Sequence, residues 1–478
     1  MPESVKTLRL WQMIYLGKGA SVVRRIIHAI ISIALRLFFR RIEAVNVERV
    51  PPTGALLFVL NHPNGLVDPA LVFVSMPRRV SFLAKSTLYD NPIGAFLLRT
   101  FEILPIYRRI DADAKSESNA VTFDNCFELL GSGRCIAIFP EGISHDQPQL
   151  QKIKTGAARI ALGAVSQPAA TASGFSLSDE LRERGLKIVP VGLYYTSKTS
   201  FRSEALIRYG EVFEVAAAEL DANGEPQRDA VVRLTAKIEK SLRDVTLNLE
   251  TETELDAVLK AEAMFSSVFK NLIFKQTLTQ TVGRLQHLAA KYALLEKNDP
   301  EKMLELNVKI TRYENNLTAS GITTESLSIL QHPTWYVFRY LILRVVFLIV
   351  FAPVAIVGAI IHSPAYVFSN LLGRIFKTHD TDVAGSSSTI IASLGLMPLT
   401  WLIVAAIIWY FFGWQIALIS IPVTILSGYI ALRSSETLID MRVWLKSVWL
   451  LFRQRALFLR LLVQRESLQK EIGEIVEK

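Results

Sequence analysis

The chain has 478 residues, of which half are hydrophobic and only 20% charged, and its mean hydropathy is +0.30. That composition excludes a disordered chain, a collagen-like one and an ordinary soluble enzyme, whose surface needs more polar cover. The net charge of +9 suits an anionic membrane surface, and two cysteines, Cys126 and Cys135, with no Cys/His cluster beside them, supply neither a disulfide framework nor a structural zinc site. The opening Met1-Pro2-Glu3-Ser4 does not read as a secretory signal, and the expectation is a membrane-associated intracellular protein.

In chain order, residues 22–40 (VVRRIIHAIISIALRLFFR) form an apolar helix with basic residues at both ends. An interface-lying helix fits it better than a span, because Arg24, Arg25 and Arg36 can snorkel. From Leu56 to Val212 short β-rich runs alternate with helical stretches. ALLFVL (55–60), VSFLA (80–84), EILPIY (102–107), CIAIF (135–139), KIVPVGL (187–193) and ALIRYGEVF (205–213) read as strands, with helices over 117–132 and 155–165. This alternation predicts an α/β domain with both sheet faces covered. Residues 167–185 read as a small, polar excursion. Long charged helical patterns without strands then fill 226–332.

The 43 residues from Ile390 to Leu432 contain no Asp, Glu, Lys or Arg, enough for two membrane spans of roughly 20 residues each. Gly413 divides them, with Trp401, Trp409, Tyr410 and Trp414 around it as interfacial residues. A second uncharged run, Val345 to Gly373, holds Pro353 and Pro364 and reads as one span or a kinked or re-entrant segment. Basic residues crowd the stretch before Val345 and the tail after Leu432, whereas the loop from His362 to Thr389 holds only Arg374 and Lys377. By the positive-inside rule both long flanks are cytoplasmic, which demands an even number of spans although three candidates are counted.

Four elements carry chemistry. Asn61-His62-Pro63-Asn64-Gly65-Leu66-Val67-Asp68 follows the first strand. A carboxylate on one imidazole nitrogen fixes the tautomer and leaves the other nitrogen free as a base, though a structural turn has the same composition. Phe139-Pro140-Glu141-Gly142-Ile143-Ser144-His145-Asp146 follows another strand; its bland reading is a helix start capped by Ser144 or Asp146, and His145 is either that or a second polar group of a site. Pro105-Ile106-Tyr107-Arg108-Arg109 ends a strand in two guanidiniums, suited to phosphate or to a solvated edge. Val189-Pro190-Val191-Gly192 puts a proline in an apolar strand, normally an edge or bulge position.

Together, His-x5-Asp at 62–68, Arg108, Phe-Pro-Glu-Gly at 139–142 and Val-Pro-Val at 189–191 resemble, in order and spacing, the four blocks of the glycerolipid acyltransferase family. That family contains the glycerol-3-phosphate and lysophosphatidic acid acyltransferases, and the resemblance covers roughly residues 40–215. FPEGISHD, the following KTGAARIALGA and the hydrophobic C-terminal part are similar to the fungal-type subgroup acting on the sn-1 position of glycerol 3-phosphate or dihydroxyacetone phosphate. Most of the family places four residues between His and Asp; this chain has five.

The resemblance implies that His62 is the base and Asp68 its partner. It implies that Arg108, with Arg109 beside it, holds the acceptor's phosphate, and that Glu141 and Gly142 line the acceptor site. Ser144, Lys152 and Lys154 are added as neighbours of that site, with oxyanion donors sought among backbone amides near 62–65 or 142–144. The expected fold is an α/β acyltransferase domain with a central mixed sheet covered by helices, then a helical arm and C-terminal transmembrane helices. The divisions are 1–40 interfacial, 41–215 acyltransferase, 216–335 arm, 336–432 transmembrane with two to three spans, and 433–478 a basic amphipathic tail.

The expected activity is transfer of a fatty acyl group from acyl-CoA, or an acyl carrier protein thioester, to the sn-1 hydroxyl of glycerol 3-phosphate. No cofactor or metal is called for, and the catalytic domain is expected on the cytoplasmic face of an integral membrane protein. Its partners are the bilayer, the acyl thioester and the glycerol phosphate acceptor. Dihydroxyacetone phosphate and lysophosphatidate are alternative acceptors, and a non-catalytic lipid-binding scaffold is a further alternative. No G-x-S-x-G occurs, against an ordinary α/β-hydrolase, and basic residues do not alternate with aromatics as a nucleic-acid surface requires.

Overall fold

The computed structural model describes residues 5–7, 22–65, 67–76, 78–89, 103–106, 116–166, 181, 184–198, 200–222, 224–266, 277–322, 334–375 and 384–477. The chain divides into two compact units, Met1–Asn248 with Lys377–Ser387, and Leu249–Phe376 with Ser388–Lys478.

The first unit is built on a nine-stranded mixed sheet. Its strands are β1 (Val5–Thr7), β2 (Arg41–Val45), β3 (Ala55–Leu60), β4 (Val80–Lys85), β5 (Leu104–Ile106), β6 (Cys135–Ile138), β7 (Leu186–Tyr195), β8 (Glu204–Tyr209) and β9 (Phe213–Glu214). The order is β1-β2-β8-β7-β3-β6-β4-β5, with β9 also on β7. Strands β3 to β7 run parallel to one another, and β8 and β9 are antiparallel to β7. The parallel strands therefore end on one edge, where α/β proteins gather their functional groups. All six residues of β3 are buried, as a central parallel strand covered on both faces requires.

One sheet face carries α3 (Ser116–Gly131), α4 (Gly156–Ser166) and α5 (Arg228–Val245), whose Cys126, Leu130, Ala161, Ile238 and Leu242 share a core with Leu57 and Val59 of β3. Helix α5 lies inside the stretch read from sequence as arm. Its apolar stripe Val231, Leu234, Ile238, Leu242 and Val245 instead packs on the sheet. The two cysteines are free and buried, and burial pushes their thiols up to about 12 for Cys126 and about 11 for Cys135, so both behave as small hydrophobes.

Three expectations change. The run 205–213 is two strands, because the chain bends out at Gly210, whose N–H donates to the Pro190 carbonyl at 2.8 Å. Pro190 itself lies in a central strand, paired with Val59, and not at an edge. Its carbonyl faces the break between β8 and β9, so the donor that proline lacks faces that break too and no ladder bond is lost. Strands β1 and β2 were not foreseen; β2 is too short to show alternation, and its Glu43 is buried through a 3.1 Å ion pair with Arg41.

Helix α1 (Val22–Phe38) has its amphipathicity turned outward. Arg24, His28 and Ser32 are buried, while Val22, Ile26, Ile30, Ile33 and Leu37 form an exposed stripe. The buried side rests on α2 (Val67–Ser75): the His28 ring lies 5.1 Å from Phe73, and the Arg24 guanidinium 5.4 Å from the same ring. An apolar stripe facing outward from a helix with basic ends is the pattern of an interfacial helix.

The second unit opens with α6 (Glu252–Ser266), α7 (Leu278–Asn298) and α8 (Pro300–Ser320). Helices α7 and α8 join through Asp299, which caps α8 by accepting from the Lys302 N–H. Then come α9 (Thr334–Ile375), α10 (Ala384–Phe412) and α11 (Trp414–Arg453), each long and apolar enough to cross a membrane, and finally α12 (Arg455–Glu477). Helices α9 and α11 pack antiparallel. Arg344 pairs with Asp440 at 3.0 Å, Tyr340 meets Trp444, and Gly358 lies against Ser427 and Gly428. A Cβ on Gly358 would stand 2.2 Å from the Ser427 carbonyl oxygen, so glycine is what lets these backbones approach.

Helix α12 returns to the arm. Its Phe458 and Leu461 are fully buried, Glu471 pairs with Lys309 of α8 at 3.1 Å, and Gln469 donates to the Met264 carbonyl of α6. Arm and tail thus meet at the same end of the α9/α11 pair.

Burial beside Arg24 drives the His28 imidazole down to about 4, so the fold holds it neutral. Its folded pKa lies below the unfolded value of about 6.5, so its contribution to stability is complete above that pH and is lost as pH falls towards 4. Arg24 and Arg79 are the cations at this spot. The melting temperature of the detergent-solubilised protein should therefore fall between pH 7.5 and 5 by more in the wild type than in His28→Gln. An equal fall in both would remove His28 as the cause.

Candidate active site

The site forms where β3, β6 and β7 end. Beyond β3 the Asn61 side chain replaces a ladder rung: its Nδ2 donates to the Leu193 carbonyl at 3.0 Å, and its Oδ1 accepts the Leu193 N–H at 2.7 Å. This ties the chain to β7 at the point where it leaves the sheet. His62 comes next, stacked on Phe139 with ring centroids 4.1 Å apart. The turn through Gly65, at φ +42°, leads into α2, whose first turn carries Asp68.

Asp68 is completely buried, and a bare carboxylate there would be very costly. It has three donors. His62 Nδ1–H lies at 2.8 Å and the Asn64 N–H at 2.7 Å, both on Oδ2, while the Tyr195 hydroxyl donates to Oδ1 at 2.6 Å. Burial and the adjacent carboxylate hold the Tyr195 hydroxyl well above the usual phenol range, so it remains a donor. With Nδ1–H committed to Asp68, His62 Nε2 carries the lone pair, and among the described residues it has no hydrogen-bond partner. The ring is 18% exposed, so Nε2 is open to an incoming molecule. Five intervening residues therefore bring histidine and aspartate into direct contact.

Glu141 organises the second loop. Its side chain is fully buried and accepts from the His62 N–H at 2.9 Å, the Gln151 N–H at 2.8 Å and His145 Nε2 at 2.5 Å. The His145 N–H donates back to the His62 carbonyl at 3.2 Å, so the loops after β3 and β6 are joined in both directions. His145 and Asp146 do not start a helix, since α4 begins only at Gly156. Gly142 has φ +70° and lies beneath Lys154, whose Nζ would stand 2.5 Å from any Cβ there. Lys154 also donates its N–H to the Pro140 carbonyl. Ser144 is half-exposed with no hydrogen bond from its hydroxyl among the described residues, and Lys152 is exposed nearby.

Of the amides considered as oxyanion donors, those of His62, Asn64 and Gly142 already donate to Glu141, Asp68 and the Phe139 carbonyl. Gly65, Ile143 and Ser144 retain amides without an acceptor among the described residues. Arg108 and Arg109, two and three positions beyond the end of β5, lie outside the described residues.

Sequence reading missed three residues. Tyr195 was hidden because it lies 127 positions from Asp68 at the end of an apolar strand. Asn64, fully buried, acts through its backbone and also donates its side chain to the Lys198 carbonyl at 3.1 Å. Lys198 in turn pairs with Asp146 at 2.5 Å and brings a cation to the same loops.

Comparison with known proteins gives the domain around this site a class. Residues 41–194 match the family described as Acyltransferase, and residues 267–478 match the one described as Glycerol-3-phosphate acyltransferase 2 C-terminal domain. The first unit therefore carries an acyltransferase domain, and the His62–Asp68 pair lies within it. Glycerol-3-phosphate O-acyltransferase 2 of Saccharomyces cerevisiae is 29% identical over 257 residues, covering 53% of this chain and 32% of that protein. Glycerol-3-phosphate O-acyltransferase 1 of the same yeast is 25% identical over 516 residues, covering 86% and 64%. An uncharacterized acyltransferase of Schizosaccharomyces pombe is 21% identical, covering 94% and 80%. The chain thus spans about a third and about two thirds of the lengths of the two budding-yeast enzymes. The solved 1-acyl-sn-glycerophosphate acyltransferase of Thermotoga maritima superposes with a TM-score of 0.31 at 16% identity, covering 49% of this chain and 86% of that one. Residues 41–194 thus form an acyltransferase domain, and residues 267–478 are similar to the C-terminal domain of glycerol-3-phosphate acyltransferase 2.

Glu141→Gln would set an amide group against at least one of three donors, leaving a buried clash or an unmade bond. It should lower stability by about 1–3 kcal/mol, read as a lower urea midpoint for loss of the near-UV signal. An unchanged midpoint would show that the Glu141 bonds do not hold the loops.

Proposed function

We propose that the protein is a membrane-bound O-acyltransferase that moves a fatty acyl group from acyl-CoA to the sn-1 hydroxyl of glycerol 3-phosphate, giving lysophosphatidate. The observation that carries this reading is the open Nε2 of His62 behind a fully satisfied Asp68. An alcohol is a weak nucleophile at neutral pH, so a base beside it must take its proton as attack proceeds. The acyltransferase-domain match, and the names of the yeast relatives, support glycerol 3-phosphate as the acceptor class.

In this mechanism His62 Nε2 accepts the proton of the acceptor hydroxyl while its oxygen bonds to the thioester carbon. Asp68 keeps Nδ1–H in place and stabilises the imidazolium, with Tyr195 and Asn64 holding the carboxylate in position. The tetrahedral oxyanion is met by backbone amides, of which Gly65, Ile143 and Ser144 are the ones with donors to spare. As the C–S bond breaks, the imidazolium returns the proton to the departing thiolate. Arg108, helped by Arg109, Lys154 or Lys152, holds the acceptor's phosphate, and Glu141 with Gly142 shapes the acceptor side. No metal, cofactor or covalent enzyme intermediate is required. The exposed apolar stripe of α1 and the apolar helices α9 to α11 keep the enzyme at a membrane, where acyl donor and product partition. Positive-inside reasoning on the basic flanks supports a catalytic domain on the cytoplasmic face.

Purified full-length protein in detergent, offered acyl-CoA with glycerol 3-phosphate, dihydroxyacetone phosphate or lysophosphatidate in parallel, tests this reading. Thiol release should be fastest with glycerol 3-phosphate, with acyl transfer to the sn-1 oxygen, and fall at least about 10³-fold in His62→Ala. Turnover with another acceptor would keep the mechanism and replace the substrate. Absence of His62-dependent turnover with all three would leave a lipid-binding scaffold.

A further inference from the structure

The hairpin of α9 and α11 has a feature that the acyl-transfer chemistry does not use. Helix α11 is free of charge from Trp414 to Leu432, and α9 from Val345 to Gly373. In the antiparallel pairing these stretches overlap over about 19 residues, or ~29 Å of helix, which matches the hydrocarbon core of a bilayer. At one end of this band α11 carries Arg433, Glu436 and Asp440, and α9 reaches its first charge at Arg344, opposite Asp440 and so ~10 Å of helix beyond Arg433. There the helices part around a cavity of about 510 Å³. Its wall is Tyr340 and Arg344 at the outer end, Phe347 and Phe351 along α9, and Arg433 with Tyr429 at the inner end, where the uncharged stretch of α11 begins.

The two guanidiniums are held open. Arg344 gives Nη1 to Asp440 at 3.0 Å and lies 4.6 Å from the Tyr340 ring centroid. Arg433 gives Nη1 to Glu436 and Nε to the Tyr429 hydroxyl, each at 3.0 Å. Each guanidinium has five N–H donors, so both keep several without an acceptor among the described residues. Their side chains are 25% and 45% exposed. The carboxylates and rings orient the arginines without enclosing them, as sites for phosphate oxygens require.

We propose that this groove binds an anionic glycerophospholipid of the surrounding membrane, with its phosphorylated headgroup between Arg344 and Arg433 and an acyl chain running past Phe351 and Tyr429 into the uncharged band. An apolar floor that continues into the uncharged band excludes a free phosphate as the natural occupant, because it would leave the aromatic wall uncovered. A peptide segment would need partners for its own backbone amides, which this wall does not supply. The site lies wholly within the second unit and is independent of the acyl-transfer reading.

The test uses the full-length protein in a neutral detergent. Native mass spectrometry would count retained phosphatidylglycerol and phosphatidylcholine of identical chains, with inorganic phosphate added in a third arm. The anionic lipid should be retained about tenfold more than the zwitterionic one, since two nearby arginines each favour it. Arg344→Gln with Arg433→Gln should abolish the preference, Arg344→Lys with Arg433→Lys should keep most of it, and phosphate should not compete. Equal retention of both lipids, undiminished preference in the glutamine pair, or displacement by phosphate would overturn the proposal. Should the glutamine pair fail to fold, phosphatidylglycerol with a photoreactive group in its acyl chain decides the matter in the wild type. Cross-links should fall on the peptides around Phe347–Phe351 and Ile430–Thr437, and cross-links confined elsewhere would overturn the proposal.

Discussion

A carboxylate fully removed from water must be met by donors, and the geometry of the loops after β3 and β6 follows from how Asp68 meets them. The first turn of α2 presents Asp68 beneath the end of the sheet, where one oxygen takes the Asn64 amide and the His62 ring and the other takes the Tyr195 hydroxyl. The three donors come from the loop after β3, the ring above it and the last residue of β7. Satisfying one carboxylate therefore fixes the turn, the imidazole tautomer and the register of the neighbouring strand together. Glu141 repeats the device on the other side, gathering two amides and an imidazole. Two buried acids, each satisfied by donors far apart in sequence, hold His62 from its backbone and from its ring. That is the preorganisation the base proposed at His62 would need, because little then has to move when charge develops.

The parts of this arrangement legible in the sequence were those written within one loop. His62 with Asp68, and Glu141 with Gly142, stand close together in the chain, and each follows an apolar run that reads as a buried strand. Most strands were legible for the same reason, since β3, β6 and β7 are β-branched or aliphatic along their length. What escaped detection depends on pairing across the sheet. Tyr195 reads as one more apolar strand residue until β7 is laid beside β3. Pro190 argues locally for an edge, and only the break at Gly210 shows how a central strand can hold it. Strand β2 contains an ionised pair, Arg41 and Glu43, that no hydrophobic pattern marks as buried.

The two ends of the chain show a second limit of local reading. Helix α1 has the composition of a helix lying on a membrane, and its basic residues at first sight belong to the solvated side. In the fold Arg24 and His28 turn inward on Phe73, and the isoleucines turn outward. Amphipathicity fixes that a helix has two faces; the surface on which it packs decides which face is inside. Burial of His28 as the neutral imidazole follows from this inversion, since both burial and the charge of Arg24 disfavour a second positive charge there.

The C-terminal half meets the same constraint in lipid. Counting uncharged runs yields three candidate spans, but length and composition do not order them. Packing does: Gly358 and Gly428 let α9 and α11 close on one another, and Arg344 with Asp440 sets their register at the charged end. Helix α12 then folds back so that Phe458 and Leu461 are buried with the arm, which brings the tail to the end of the hairpin where the arm begins. The basic residues on both flanks need not each be an independent topological signal. Once α12 is packed on α8 through Glu471 and Lys309, the side on which one flank lies determines the side of the other.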